Sequence, residues 1–162
     1  MEENSIRAAI VTVSDTRKPE NDVSGKRLAE LLLAAGAVIV EKLIVTDDLE
    51  HLTQTLYSLA QSDDINLIIT TGGTGFAPRD NTPEATRAVI EREAPGLAEA
   101  MRRESAANTP MSMLSRGICG IRGNTLIINL PGSPKGVEEC FAVIQSVLPH
   151  AISLIAGETS HT

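Results

Sequence analysis

Apolar positions along this chain switch repeatedly between two spacings, and the switches mark its elements. Ile6 to Ser14 reads Ile-Arg-Ala-Ala-Ile-Val-Thr-Val-Ser, a short β-branched run that fits a buried strand. A polar stretch, Asp15 to Asp22, follows. Val23, Leu28, Leu31, Leu32 and Ala35 then recur at helical spacing, and Gly36 suits the position just past a helix end. Ala37 to Val45 returns to strand composition. Asp47-Asp48 precede a helix whose apolar stripe is Leu49, Leu52, Leu56 and Leu59. Ile65 to Thr70 predicts a third strand, which runs directly into Thr71-Gly72-Gly73-Thr74-Gly75. Thr82-Pro83-Glu84 opens another helix, with Thr82 as N-cap, proline at the first helical position and an acid in the first turn. Pro95-Gly96 breaks it, and a further helix is predicted from Gly96 to Ala106. Thr125 to Leu130 is a strand that can pair with Gly117 to Ile121 across Arg122-Gly123-Asn124. Pro131 to Gly136 reads as a turn and Val137 to Leu148 as a helix. Pro149 either kinks that helix or starts one more turn, before Gly157 and a polar tail over 157–162.

Strands alternating with helices predict an α/β protein: a mostly parallel sheet covered by helices on both sides, with a small β-hairpin. At 162 residues one domain, 1–162, is expected. A domain this size buries about 70% of its unfolded surface, so no disulfide or structural metal is needed. No apolar run approaches the ~20 residues of a membrane span. Met1-Glu2-Glu3-Asn4-Ser5 lacks the basic and apolar regions of a signal peptide. Cys119 and Cys140 accordingly read as reduced thiols, and the expected location is cytoplasmic. The formal charge of −7 and a pI near 4.9 exclude nonspecific nucleic-acid binding, which relies on a basic face. Tyr57, Phe76 and Phe141 are the only aromatics, too few for base-stacking surfaces.

In open α/β sheets, ligands bind beyond the carboxyl ends of the strands. Four segments fall there: Ser14 to Gly25, Thr46 to Asp48, Thr71 to Thr82 and Pro131 to Gly136. The Thr70-Thr71-Gly72-Gly73-Thr74-Gly75 loop can converge backbone N–H groups on an anion, or it can be a tight strand exit. It is neither a Walker A sequence nor a dinucleotide fingerprint. Pro131-Gly132-Ser133-Pro134-Lys135-Gly136, between a strand and a helix, is a second phosphate cradle or a rigid turn. Asp47 and Asp80 each sit near a helix start, where N-capping is the plain alternative to holding Mg²⁺ beside substrate phosphates. Whether Asp47 or Asp48 is the cap stays open. Arg79, Lys135 and Arg116 could offset phosphate charge or be solvated. Phe76 suits a hydrophobic latch under its loop better than a stacking surface, and Arg102-Arg103 reads as a solvated helix face. His51, His150, His161 and the two cysteines show no zinc spacing. Without a protein nucleophile, the composition favours bound substrates that react directly with each other.

Taken in order, Thr12-Val13-Ser14-Asp15, Asp22-Val23-Ser24-Gly25, Thr71-Gly72-Gly73-Thr74-Gly75, Arg79-Asp80-Asn81-Thr82-Pro83-Glu84-Ala85-Thr86, Leu114-Ser115-Arg116 and Asn129-Leu130-Pro131-Gly132-Ser133-Pro134-Lys135 resemble the molybdopterin adenylyltransferase family of MogA and MoaB proteins and the related plant Cnx and gephyrin domains. The resemblance implies a three-layer α/β/α sandwich, homotrimeric in most members and hexameric in some. It implies AMP transfer from Mg²⁺-ATP to the terminal phosphate of molybdopterin, with pyrophosphate released, and contact with other molybdenum cofactor biosynthesis proteins. By that likeness Asp47 and Asp80 are the catalytic acids and the Mg²⁺ ligands. Ser14, Asp22, Ser24, Thr71, Gly72, Gly73, Thr74, Gly75, Glu84, Ser115, Arg116, Asn129, Pro131, Gly132 and Ser133 are the substrate-binding candidates. Some MoaB relatives lack the acidic pair and are catalytically silent; this chain keeps both acids.

Overall fold

The computed structural model describes residues 5–158. Met1–Asn4, His161 and the end of the polar tail, 159–162, lie outside the described residues. Among those described, β1 (Arg7–Val13), β2 (Val38–Val45), β3 (Leu67–Thr71), β4 (Arg92–Glu93), β5 (Cys119–Arg122) and β6 (Thr125–Leu130) form a six-stranded sheet in the order β2-β1-β3-β6-β5-β4. β2, β1, β3 and β6 are parallel, while β5 and β4 add antiparallel at one edge. The helices are α1 (Val23–Ala34), α2 (Leu49–Ala60), α3 (Thr82–Val89), α4 (Pro95–Ser105), α5 (Pro134–Ile144) and α6 (Leu148–Ile155).

Strand residues alternate between two cores, as the period of two demands. Ala8, Ile10, Leu67, Ile69, Leu126 and Ile128 face α1, α4, α5 and α6. Ala9, Val11, Ile68 and Ile127 face α2 and α3 from the other side. The central strands are therefore apolar on both faces, which is why they read as continuous runs in the sequence. The expected three layers are present, with both cysteines buried.

Several boundaries move for identifiable reasons. Thr82 is not the N-cap of α3; Asn81 holds that position, and the Thr82 hydroxyl instead donates to the Gly72 carbonyl at 2.9 Å. Pro95 lies inside α4, whose preceding residues pair as β4 with β5. The last helix begins at Pro134, because Ser133 caps it by accepting from Gly136 N–H at 3.0 Å. It gives way after Ile144 to a 3₁₀ turn, and Pro149 lies in the first turn of a separate α6. Gly36, at φ +87, stands just past the α1 C-cap as expected.

Phe141, 1% exposed, is the one large aromatic in the core, where α5 packs against α1 and α4. Phe141→Ala is expected to cost about 3–5 kcal/mol. Urea denaturation should show this as a lower midpoint at unchanged m-value.

Candidate functional site

The loops after β3 and β6 leave the sheet towards opposite faces, β3 leading to α3 and β6 to α5. A crevice therefore opens between their carboxyl ends. The two backbones nearly touch at its floor: a Cβ on Gly132 would lie 3.2 Å from Gly72 Cα. Gly72 and Gly73 take φ +100 and +70, where a side chain would be strained. Thr71 Oγ1 donates to the Pro131 carbonyl at 2.6 Å and ties the loops together. The glycine segment is a tight strand exit and also the wall of a site.

That site is a cavity of about 380 Å³. Thr74, Gly75, Ser115, Asn129, Pro131 and Ser133, all expected from the sequence, line it together. The N-terminus of α5 borders it through Ser133 and Gly136, so the helix dipole favours an anion there. Further walls were not expected at a site from the sequence, among them Met101, Arg102, Ser105, Met111, Ser112 and Leu114, the last read only as part of a motif. The 3₁₀ turn Pro110–Leu114, which supplies three of them, carries no periodic signal. Arg102 is not a solvated side chain; its Nη1 donates to the Gly117 carbonyl at 2.7 Å and holds the Ser115–Gly117 segment against α4. Arg103 is exposed, as expected. Phe76 is no latch: it is 67% exposed and stands at the cavity wall. Burial pushes the Cys140 thiol up and the Cys119 thiol up to about 12, so neither is a nucleophile.

Asn129 lines the cavity and is also fastened into the architecture, as are several candidates that do not reach it. Asn129 is buried; its Oδ1 accepts from Ile118 N–H at 3.1 Å, and its Nδ2 donates to Thr70 Oγ1 at 3.1 Å and Thr86 Oγ1 at 2.9 Å. Arg116 donates to the carbonyls of Gly75 (2.8 Å) and Asp80 (2.7 Å) and pairs with Glu84, so both charges are committed to holding the glycine loop. Glu84 is thereby held below its ordinary pKa, chiefly by the Arg116 hydrogen bond. Asp22 is buried as the α1 N-cap, accepting from Gly25 N–H at 3.0 Å and from Thr12 Oγ1 at 2.8 Å. Ser24 is buried within α1. Ser14 accepts from the Thr16 and Arg17 amides and borders a different cavity, beside Lys18 and Lys42. Lys135 lies on the surface, 3.9 Å from Glu139.

Asp47 and Asp80 lie in the same neighbourhood: Asn81 Nδ2, next to Asp80, donates to the Asp47 carbonyl at 2.9 Å. Asp48, not Asp47, caps α2, accepting from His51 N–H at 2.9 Å. Asp80 Oδ2 accepts from Ala77 N–H at 2.9 Å and lies 2.9 Å from where a Cβ on Gly75 would stand, next to the cavity wall. No described residue donates to its Oδ1. Asp47 is raised above its ordinary pKa, first by burial, then by the nearby Asp15 carboxylate and also by Asp80; the Asp15 backbone and Arg79 partly offset this. Arg79 is not a free phosphate binder, since it forms a two-point ion pair with Asp15. That pair, with the Asp47 amide, draws Asp15 down from 3.8 to about 2. Among the described residues no group of three or more acidic, cysteine or histidine side chains is placed to hold a metal alone. Two carboxylates with an uncommitted oxygen suit Mg²⁺, which takes one or two protein carboxylates and completes its shell with phosphates and water.

The family model for "Probable molybdopterin binding domain" matches residues 9–150, so the chain belongs to that family. It is 46% identical over 160 residues to the molybdenum cofactor synthesis protein cinnamon of Drosophila melanogaster, covering 96% of this chain but 26% of that protein. It is 36% identical over 157 residues to a molybdopterin adenylyltransferase of Helicobacter pylori, covering 94% and 89% of the two chains. The crystal structure of the molybdopterin biosynthesis enzyme MoaB from Thermus thermophilus superposes with TM-score 0.86 at 44% identity, over 94% of this chain and 97% of that one.

Two outcomes follow from these contacts. Asn129→Ala removes the partner of the half-buried Ile118 N–H and of the buried Thr70 and Thr86 hydroxyls and is expected to cost about 1–3 kcal/mol, measured by urea unfolding. The lowered Asp15 pKa means that the folded state prefers the carboxylate: its stabilisation is full above the unfolded value near 3.8 and is lost as pH falls through about 2. In Arg79→Ala, a carboxyl-detected NMR titration should find the Asp15 midpoint moved up from about 2 toward 3.8, the Asp47 amide still holding part of the shift.

Proposed function

We propose that this member of the molybdopterin-binding family acts in molybdenum cofactor biosynthesis as an adenylyltransferase, a single domain that moves AMP from ATP to the terminal phosphate of molybdopterin. One oxygen of the pterin phosphate attacks the α-phosphorus of ATP, the α–β anhydride bond breaks, and pyrophosphate leaves. The observation that carries the reading is the pairing of a cavity with a phosphate-favouring end, at the glycine loop and α5, with Asp47 and Asp80 just across that loop.

Each part has a physical task. Apolar walls at Met101, Met111 and Leu114 suit the flat body of a pterin, and about 380 Å³ is within the usual range for small-ligand sites. The Ser115 hydroxyl, which accepts from Gly117 N–H at 3.3 Å, keeps its own hydrogen to donate into the cavity. The α5 N-terminus and the Thr74 and Gly75 amides draw the pterin phosphate toward Asp80, whereas the Gly72 amide is committed to the Leu130 carbonyl. Substrate brings its own nucleophile, so the protein's contribution is positioning and electrostatics. Asp47 and Asp80 would hold Mg²⁺, which when bound neutralises the charge of the two anions. The acidic chain, at −7, leaves anion capture to these local groups. An apolar groove at Pro95, Leu97, Val147, Ala151, Leu154 and Ile155 offers a surface for the homo-oligomer, trimer or hexamer, that the family resemblance implies. Contact with other proteins of the pathway and a cytoplasmic site of action belong to the same reading.

The test mixes protein, molybdopterin, ATP and Mg²⁺ and follows pyrophosphate and adenylylated pterin. Asp80→Asn should keep the fold and pterin binding but lose at least ~10²-fold in turnover, the scale of one electrostatic stabiliser. An unchanged rate removes Asp80 from the mechanism. Pterin binding by the wild type with no pyrophosphate formed would make this a silent molybdopterin-binding protein.

A further inference from the structure

Asp47 lies in the loop after β2 and Asp80 in the loop after β3, segments that leave two strands not adjacent in the sheet. Like charges on two such loops repel and, unrestrained, drift apart. The residues on either side of Asp80 link it to the Asp47 segment, Asn81 directly and Arg79 through Asp15 in the loop after β1. Arg79 donates through Nε to Asp15 Oδ2 at 2.7 Å and through Nη2 to Asp15 Oδ1 at 2.9 Å. The same Asp15 Oδ1 accepts from the Asp47 N–H at 3.1 Å. Asn81 Nδ2 donates to the Asp47 carbonyl at 2.9 Å. The contacts close a ring, Asp47–Asp15–Arg79–Asp80–Asn81 and back to Asp47, in which the Asp47 N–H is held by Asp15 and its carbonyl by Asn81.

We propose that Arg79, Asp15 and Asn81 are positioning residues, a clamp joining the loops after β1, β2 and β3 that sets the Asp80 carboxylate against that of Asp47. This deepens the adenylyltransferase reading and rests on it for its catalytic consequence. Stability is not the clamp's main product: Arg79 and Asp15 side chains are 61% and 38% exposed, and exposed pairs contribute little. What a two-point guanidinium–carboxylate pair adds is fixed geometry, which a lysine cannot reproduce. Transfer between two bound anions is steeply sensitive to such geometry, with a misplacement of about 1 Å able to cost ~10²-fold.

The experiment compares wild type with Arg79→Ala, Arg79→Lys and Asn81→Ala in two measurements. In the substrate-free protein, amide hydrogen exchange at Asp47 should accelerate at least ~10-fold in Arg79→Ala and Asn81→Ala, while the thermal midpoint stays within about 2 °C. In the adenylylation assay, kcat should fall ~10-fold or more with KM for ATP and molybdopterin unchanged, and Arg79→Lys should not recover it. Unchanged exchange at Asp47 overturns the clamp. So does full recovery by lysine, which reduces Arg79 to a charge, or a raised KM at unchanged kcat, which makes it a substrate contact. If the wild type forms no pyrophosphate, the adenylyltransferase reading fails by itself, and the exchange result still decides whether the clamp exists.

Discussion

The site depends on how closely three stretches of backbone pass one another at the carboxyl end of the sheet. A Cβ on residue 72 would stand 2.5 Å from the Val13 carbonyl oxygen, and one on residue 132 would press on Gly72 Cα at 3.2 Å. With Gly72 at φ +100, any side chain there would push β1, β3 and β6 apart at the point where their loops diverge. The crevice, the placement of Thr74 and Gly75 in its wall and the reach of Asp80 toward Asp47 all follow from that approach.

Around this point the arginines serve the architecture. Arg116 spans the glycine loop from Gly75 to Asp80 and is neutralised by Glu84. Arg102 fastens the segment on the opposite wall, and Arg79 is paired with Asp15. The guanidinium groups that looked free to meet phosphate are thus committed before any ligand arrives. What remains at the cavity to favour an anion is the α5 N-terminus, whose partial charge needs no counter-ion and is fixed in direction by the helix. Asp47 is in the reverse position: burial first, then the charges of Asp15 and Asp80, raise its pKa, so holding these carboxylates together carries an electrostatic cost.

Much of the fold was legible because it is encoded in short-range pattern. Buried parallel strands such as Leu67–Thr71 and Thr125–Leu130 announce themselves as uninterrupted β-branched runs, and glycines at φ-positive turns as breaks. Boundaries failed where a side chain had a tertiary use. Thr82 looks like an N-cap by type, yet its hydroxyl goes to the Gly72 carbonyl. Arg92–Glu93 has no strand signal of its own and becomes β4 by pairing with β5. Phe76 is exposed because the cavity lies on the side of the loop that a latch would fill.

By itself, then, the chain's linear pattern determined the α/β alternation, the carboxyl-end placement of the glycine and proline loops, and the residue types able to meet a phosphate. Those are local matters of periodicity, φ and hydrogen-bonding capacity. Tertiary structure alone decided which candidates face the cavity: Ser115 and Ser133 reach it, whereas Asp22, Glu84 and Arg116 are consumed by a cap and an ion pair. A polar side chain has few donors and acceptors, and whether they are already spent depends on partners 30 or more residues away, as with Arg116 and Glu84, |i−j| = 32. No local pattern records that distance.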